Sequence, residues 1–138
     1  MSKHFIHCLG LLCLLFLTIG CSQNCSLKGK VVFSDDQTPL DRGTVCLVSD
    51  QGIARGSIDK DGNYVVGSLG EKDGLPPGTY RIYVTDTEHL EPSPGGGVAM
   101  AVSLIDGRYS SAETSGLMVE VKSSMTHNIQ LDRYGGNR

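Results

Sequence analysis

Apolar and polar residues alternate along most of the chain after residue 26, and this period of two is typical of half-buried β-strands. In the clearest run, Tyr80, Ile82 and Val84 share one face, while Arg81 and Tyr83 point to the other. The same alternation predicts further inward rows: Val31 and Phe33; Val45 and Leu47; Val98, Met100, Val102 and Leu104; Leu117, Val119 and Val121; Ile129 and Leu131. After residue 26 no window repeats apolar positions at helical spacing. We therefore expect an all-β domain.

Turn-forming residues separate these runs. The turns fall at residues 35–39, 49–52, 59–63, 76–78 and 92–97, where Asp, Asn, Gly and Pro concentrate. Two further strands fit at residues 53–58 and 64–68. Seven or eight short antiparallel strands in about 105 residues predict a single antiparallel β-sandwich of immunoglobulin-like type, with a small barrel as the alternative. Residues 91–97, rich in Gly and Pro, are expected to form a mobile loop.

Residues 1–20 differ from the rest of the chain. Lys3 supplies a positive charge, and residues 5–20 contain no charged side chain. This pattern is typical of a secretory signal peptide. The uncharged run is shorter than the roughly 20 apolar residues that a spanning helix needs, so a transmembrane anchor is only the alternative.

A cysteine directly follows this leader. The segment Leu17-Thr18-Ile19-Gly20-Cys21 resembles a bacterial lipobox, with its Leu one position earlier than usual. The resemblance implies a lipoprotein signal peptide at residues 1–20, lipidation of Cys21, a lipidated tether at residues 21–26 and a folded domain at residues 27–138. Ser22 favours the outer membrane if the host has one. An ordinary signal peptide followed by an incidental cysteine is the alternative.

The charge balance excludes one class of partner. The 138 residues include 12 Lys and Arg against 15 Asp and Glu, a net charge of −3. Nucleic-acid binding calls for a clustered basic excess, so we expect no nucleic acid. Export would allow a disulfide between Cys25 and Cys46, the cysteines left once Cys21 is acylated, and two free thiols are the other possibility.

Candidate metal and catalytic motifs are incomplete. Asp59, Asp61 and Asn63 have the alternate spacing of the first ligands of a calcium loop, but the sixth position is not Gly and the twelfth is not Glu, so a turn is favoured. His89 and His127 are too far apart in sequence to suggest a metal cluster. No phosphate-binding loop occurs. We expect no cofactor, no metal and no catalytic residue.

Several of these motifs together resemble a known domain. Gly29-Lys30-Val31-Val32-Phe33, Thr38-Pro39-Leu40, Asp59-Lys60-Asp61-Gly62-Asn63-Tyr64 and Leu75-Pro76-Pro77-Gly78-Thr79-Tyr80 are similar to the carboxypeptidase regulatory-like, or transthyretin-like, domain. Residues 105–121 resemble the second half of small lipoproteins with this domain in planctomycete-type bacteria. The resemblance implies an exported accessory module of transthyretin-like fold.

Enzymes of transthyretin-like fold provide a contrast. Hydroxyisourate hydrolases end in Tyr-Arg-Gly-Ser, of which this chain keeps only Tyr134 and one Gly. Intradiol dioxygenases bind iron through two Tyr and two closely spaced His, a pattern that is missing here. A transthyretin-like hydrolase is therefore a remote alternative.

The expected function is protein contact in the cell envelope, with membrane attachment through the lipid at Cys21. Loops or an exposed sheet edge would make the protein contact. Tyr83 and Tyr109 are the candidate partner-binding residues. A glycan-binding module of the cell surface is the alternative, since exposed aromatic rings also stack on sugars. The chain contains no Trp, which favours the protein contact.

Overall fold

Ten β-strands and one short 3₁₀ helix form the fold of the computed structural model, which describes residues 23–70 and 72–135. The expected signal peptide and the lipidation site Cys21 lie outside the described residues. The strands are β1 Leu27–Phe33, β2 Thr44–Ser49, β3 Gly52–Ser57, β4 Asn63–Val65, β5 Gly78–Thr85, β6 Glu88–Glu91, β7 Met100–Ser103, β8 Leu117–Val121, β9 Met125–Thr126 and β10 Ile129–Leu131. The expected all-β class is confirmed, and short strands such as β6 and β9 raise the number above the expected seven or eight.

Two sheets make up the sandwich. Sheet II is antiparallel throughout, in the order β3-β2-β5-β8. Sheet I has the order β10-β1-β4, and β9 also pairs with β1. Both β9 and β10 run parallel to β1, because the chain crosses from sheet II after β8 and then follows β1 in the same direction. Sheet I is therefore mixed, which the alternation pattern alone does not predict.

The inward rows of the two sheets form one core. Tyr80, Ile82 and Val84 are 2% exposed or less, as the alternation along β5 predicts. They pack in one cluster with inward residues of sheet I such as Val31 and Leu131. Burial of these rows removes apolar surface from water, which is the main contribution that holds the sheets together.

One predicted inward row is wrong. Val98 is 90% exposed and Met100 is 59% exposed, because β7 does not join either sheet of the sandwich. It pairs only with β6, in a two-stranded hairpin whose connection contains residues 92–99. The apolar alternation of this segment therefore faces solvent along the hairpin, and only Leu104 beyond it packs against the core.

The folded part includes the last residues of the expected tether. Cys25 is 6% exposed and belongs to the core cluster. Its backbone N–H donates to the carbonyl of Leu75 at 2.8 Å, and the Leu75 N–H donates back at 3.0 Å. Gly74 adopts a φ of +80°, and a Cβ there would lie 2.5 Å from the Cys25 carbonyl oxygen, so only glycine permits this approach.

Candidate functional site

The long central strand β5 defines two ends of the sandwich. Its first residue, Gly78, follows the segment around Leu75 that bridges to Cys25, so we call this the proximal end. Its last residue, Thr85, leads into the β6–β7 hairpin, so we call that the distal end. Eight strand residues separate the two ends by about 23 Å.

The most apolar exposed feature of the distal end is the hairpin. Leu90 is 72% exposed, Val98 is 90% exposed and Met100 is 59% exposed. We call these three residues the hairpin tip. Scattered single apolar residues are normal on a protein surface, whereas three around the end of one hairpin form a candidate contact site, with Leu90 and Met100 on opposite faces of the hairpin.

The base of the hairpin is closed by hydrogen bonds between its two strands and the residues that flank them. Thr87 is 2% exposed, and its hydroxyl lies 3.3 Å from that of Ser103 across the hairpin. The Leu104 N–H donates to the Thr87 carbonyl at 3.2 Å, and the Ser103 hydroxyl donates to the Ile105 carbonyl at 3.0 Å. The hairpin tip is therefore presented from a hydrogen-bonded base.

Tyr83, one of the two aromatic residues singled out from the sequence, lies on the outer face of sheet II. It is half-buried and stands opposite Cys46 in the register of β2 and β5. Burial raises the pKa of the Tyr83 hydroxyl, with a smaller contribution from Cys46. Tyr83 and the hairpin tip are separate features of the surface, on the sheet face and on the hairpin respectively.

Tyr109 is not available for contact, so its expected exposure is wrong. It lies in the 3₁₀ helix Gly107–Ser110 and is 5% exposed. Its hydroxyl accepts a hydrogen bond from Arg108 at 2.7 Å and donates to Asp132 at 3.3 Å. The ring packs in the core cluster, so Tyr109 serves the fold rather than a partner.

The distal end is acidic. Its carboxylates outnumber its basic side chains and comprise Asp35, Asp36, Asp41, Asp86, Glu88, Glu91, Asp106 and Asp132. Arg133 bridges Asp35 and Asp36 at 3.0 and 2.9 Å and lies over the ring of Phe33. The hydroxyl and N–H of Thr38 donate to Asp36 and, with Arg133, hold the pKa of that carboxyl at about 2.

The calcium-like spacing forms a turn. Asp59 accepts hydrogen bonds from the backbone N–H groups of Asp61 and Asn63 at 2.9 and 2.8 Å, and these lower its pKa, with Asn63 as the main cause. In the part of the chain that the structure describes, no three His, Cys, Asp or Glu side chains are grouped to hold a metal ion. The same part contains no helix with the length and apolar character needed to cross a bilayer.

The two described cysteines are free and lie on opposite faces of sheet II. Cys25 is in the core, whereas Cys46 points outwards with Tyr83 and Arg55 as its register neighbours. Cys46 is nevertheless only 2% exposed. An intramolecular disulfide would have to cross the sheet, so the geometry favours two thiols.

A cleft of about 510 Å³ lies between β3, β4 and residues 67–70. A Cβ at Gly56 would lie 2.4 Å from the Val65 carbonyl oxygen, so glycine allows β3 and β4 to approach at the cleft floor. The lining includes Ser57, Ser68 and the carboxylate of Asp59. Asp59 accepts its hydrogen bonds from Asp61 and Asn63, so the described lining does not pair a serine hydroxyl with this carboxylate as acyl-transfer chemistry requires.

No family model and no curated protein matches the chain. Among solved structures, it is similar to a DUF3823 family protein from Bacteroides ovatus, with 18% identity, a TM-score of 0.46, and coverage of 80% of this chain and 45% of that chain. The major pilin subunit BcpA of Bacillus cereus gives 12% identity, a TM-score of 0.47, and coverage of 81% and 31%. A 9R-lipoxygenase from Cyanothece gives 14% identity, a TM-score of 0.38, and coverage of 78% and 16%. The chain spans less than half of the length of each, and the likeness concerns the β-rich fold alone.

Proposed function

We propose that this chain is an exported module that is lipid-anchored at Cys21 and makes protein contacts in the cell envelope without catalysing a reaction. The observation that supports it most is the hairpin tip, because three apolar side chains stand in solvent on a hairpin with a fixed base. The tip lies at the distal end, whereas the chain enters from Cys21 at the proximal end. Such a module would present the tip away from its anchor.

The chemistry of the tip indicates the kind of partner. Met100 shares a face of the hairpin with Glu91, whereas Leu90 lies on the opposite face with Ala101. A partner's pocket would therefore enclose the tip from both sides to bury the three side chains. Met is enriched in such interfaces because its side chain adapts. The surrounding carboxylates, such as Glu88 and Glu91, favour a partner with basic residues around that pocket. The proposed partner is therefore a protein with an apolar pocket and a basic rim.

The titratable groups of the described residues support a role without catalysis. Asp36 and Asp132 belong to ion pairs and turns that hold loops in place. Tyr64 and Asp59 line the cleft beside β3, where burial raises the pKa of Tyr64 and hydrogen bonds lower the pKa of Asp59. Both side chains are engaged in the fold, because the Tyr64 hydroxyl donates to the His127 carbonyl and Asp59 accepts hydrogen bonds from the backbone of its own turn. A catalytic group must instead be free to act on a bound substrate.

A matched pair of methionines tests the contact. Met100 is 59% exposed on the hairpin and Met118 is 60% exposed on β8, so they differ in place and not in exposure. Affinity capture from solubilised envelopes of the producing cells should recover a partner with the wild type and with Met118→Asp, and lose it with Met100→Asp. Equal recovery with all three would contradict the hairpin contact. If Tyr83→Ala fails to recover the partner while Met100→Asp still recovers it, the contact lies on the outer face of sheet II.

A further inference from the structure

Leu69 is 96% exposed, the highest value among the large apolar residues that the structure describes. Its turn, residues 67–70, is nevertheless held firmly. The Asp73 carboxylate accepts hydrogen bonds from the backbone N–H groups of Ser68, Leu69 and Gly70 at 2.7, 2.9 and 2.9 Å. The fold therefore holds a leucine in solvent on an ordered turn, at the cost of exposing an apolar side chain.

This turn belongs to the proximal end. The Ser68 N–H donates to the Gly74 carbonyl at 3.0 Å, and the next residue, Leu75, bridges to Cys25. The side-chain amide of Asn24 also donates to the Asp73 carbonyl oxygen at 3.3 Å. The Leu69 turn is thus hydrogen-bonded to the segment through which the chain arrives from Cys21.

The reach of that segment is short. Cys21 precedes Cys25 by four positions, and four fully extended residues span at most about 14 Å. Acyl chains on Cys21 would lie in the hydrocarbon layer of the bilayer. The backbone at Cys25 would therefore stay near the headgroups, together with the turn that is bonded to it.

The charge distribution favours the same orientation. The distal end has an excess of carboxylates, which an anionic lipid surface repels. At the proximal end the exposed lysines Lys28, Lys72 and Lys122 balance the described carboxylates Asp50, Asp73 and Glu120. Glu120 pairs with Lys122 at 3.2 Å, and Asp73 is bonded to its own turn. The proximal end is the less repelled of the two.

We propose that the Leu69 turn rests on the bilayer and inserts the Leu69 side chain into the interfacial layer, so that the lipid surface fixes the orientation of the domain. This inference rests on the lipid anchor of the proposed function. Interfacial contact of this kind needs an apolar side chain backed by a lipid that keeps it close, since one leucine alone binds weakly. The hairpin tip then points away from the membrane.

The sequence contains no Trp, so a single introduced tryptophan is an unambiguous fluorescence probe of its own position. Leu69→Trp and Val98→Trp each create a single-tryptophan protein at positions that are 96% and 90% exposed, so both should fold with unchanged thermal unfolding. The full lipidated protein is reconstituted into vesicles of phosphatidylcholine and phosphatidylglycerol with brominated acyl chains. We expect insertion into the interfacial layer to shift the Leu69→Trp emission to the blue and bromine to quench it at least twofold. The emission of Val98→Trp should be neither shifted nor quenched.

Two failures are distinguishable. If the protein sediments with the vesicles but Leu69→Trp stays unquenched, or both variants are quenched equally, the membrane contact of the turn is overturned and the anchor stands. If the protein stays in the supernatant, the anchor itself fails and the membrane contact falls with it. Vesicles of the same composition without bromine provide the baseline emission for each variant.

Discussion

The Tyr64 hydroxyl donates a 2.6 Å hydrogen bond to the backbone carbonyl of His127. Tyr64 belongs to β4 and His127 lies between β9 and β10, so the bond joins the two flanks of β1. Gly29 of β1 lies beneath it, where a Cβ would be 1.9 Å from the same carbonyl oxygen. The short outer strands of sheet I are therefore fastened across a glycine by one buried side chain.

Removal of that hydroxyl should weaken the fold. Tyr64 is 2% exposed, so Tyr64→Phe keeps the ring packing but leaves the His127 carbonyl without this donor. We expect a loss of about 1 kcal/mol in the free energy of unfolding, measured in urea. Tyr134→Phe, at a tyrosine that is 65% exposed, is the control and should change stability by less than about 0.5 kcal/mol. Equal effects would show that the bond contributes nothing.

The inward face of β5 predicts a second stability contrast. Ile82 is fully buried, and Ile82→Ala should cost about 2–5 kcal/mol through lost burial and a cavity. The exposed neighbour Arg81 points outwards, and Arg81→Ala should cost less than about 1 kcal/mol. Tyr83→Ala should fall between them, because Tyr83 is half-buried. Denaturant unfolding of the three variants measures this order, and equal losses would contradict the assigned faces.

Protonation of Asp36 at low pH should weaken the loop that follows β1. Hydrogen bonds from Thr38 hold its pKa at about 2, below the usual 3.8, so the folded state binds its proton less readily than the unfolded state. The contribution to stability is present above pH 4 and is lost as the pH falls towards 2. Thr38→Val should raise the pKa of Asp36 in an NMR titration. The same change should reduce the loss of folding stability that acid causes. Thr79→Val, on the exposed side of β5, should leave that titration unchanged.

Both described cysteines should be present as thiols and not as a disulfide. Cys25 and Cys46 are 6% and 2% exposed and lie on opposite faces of sheet II. Alkylation of the oxidised, exported domain should modify neither thiol while it is folded, and both once it is unfolded without reductant. Mass spectrometry counts the added groups. An unmodified pair after unfolding would reveal a disulfide and contradict the assigned faces.

Local alternation was sufficient to predict the longer strands that pack in the sandwich, although not the two-residue strand β9. Ile82 and its inward neighbours follow the period of two because one face of β5 meets the core and the other does not. The same period in β7 led to a wrong burial prediction, because alternation shows that two faces differ and not which of them is covered. Whether Met100 is buried depends on where the hairpin leaves the sandwich, which is a property of the whole fold.

Non-local contacts explain the other differences. Cys25 looked like part of a tether because its neighbours are polar, and its burial depends on Leu75, far along the chain. Tyr109 lies in a 3₁₀ turn without a repeating pattern, and it is buried because its ring packs in the core cluster. The exposed Leu69 had no sequence signal either, because the Asp73 bonds that fix its turn are set by backbone geometry.

Acyl labelling of Cys21 tests the central claim most directly, because both the distal hairpin contact and the membrane contact of Leu69 assume an anchor at that residue. Cells that produce the protein are fed radiolabelled palmitate, and the labelled protein is followed in membrane and soluble fractions. The wild type and Cys25→Ser, a control cysteine four positions further on, should incorporate label and sediment with membranes. Cys21→Ser should lose both the label and the sedimentation. Equal labelling of the wild type and Cys21→Ser would contradict the account.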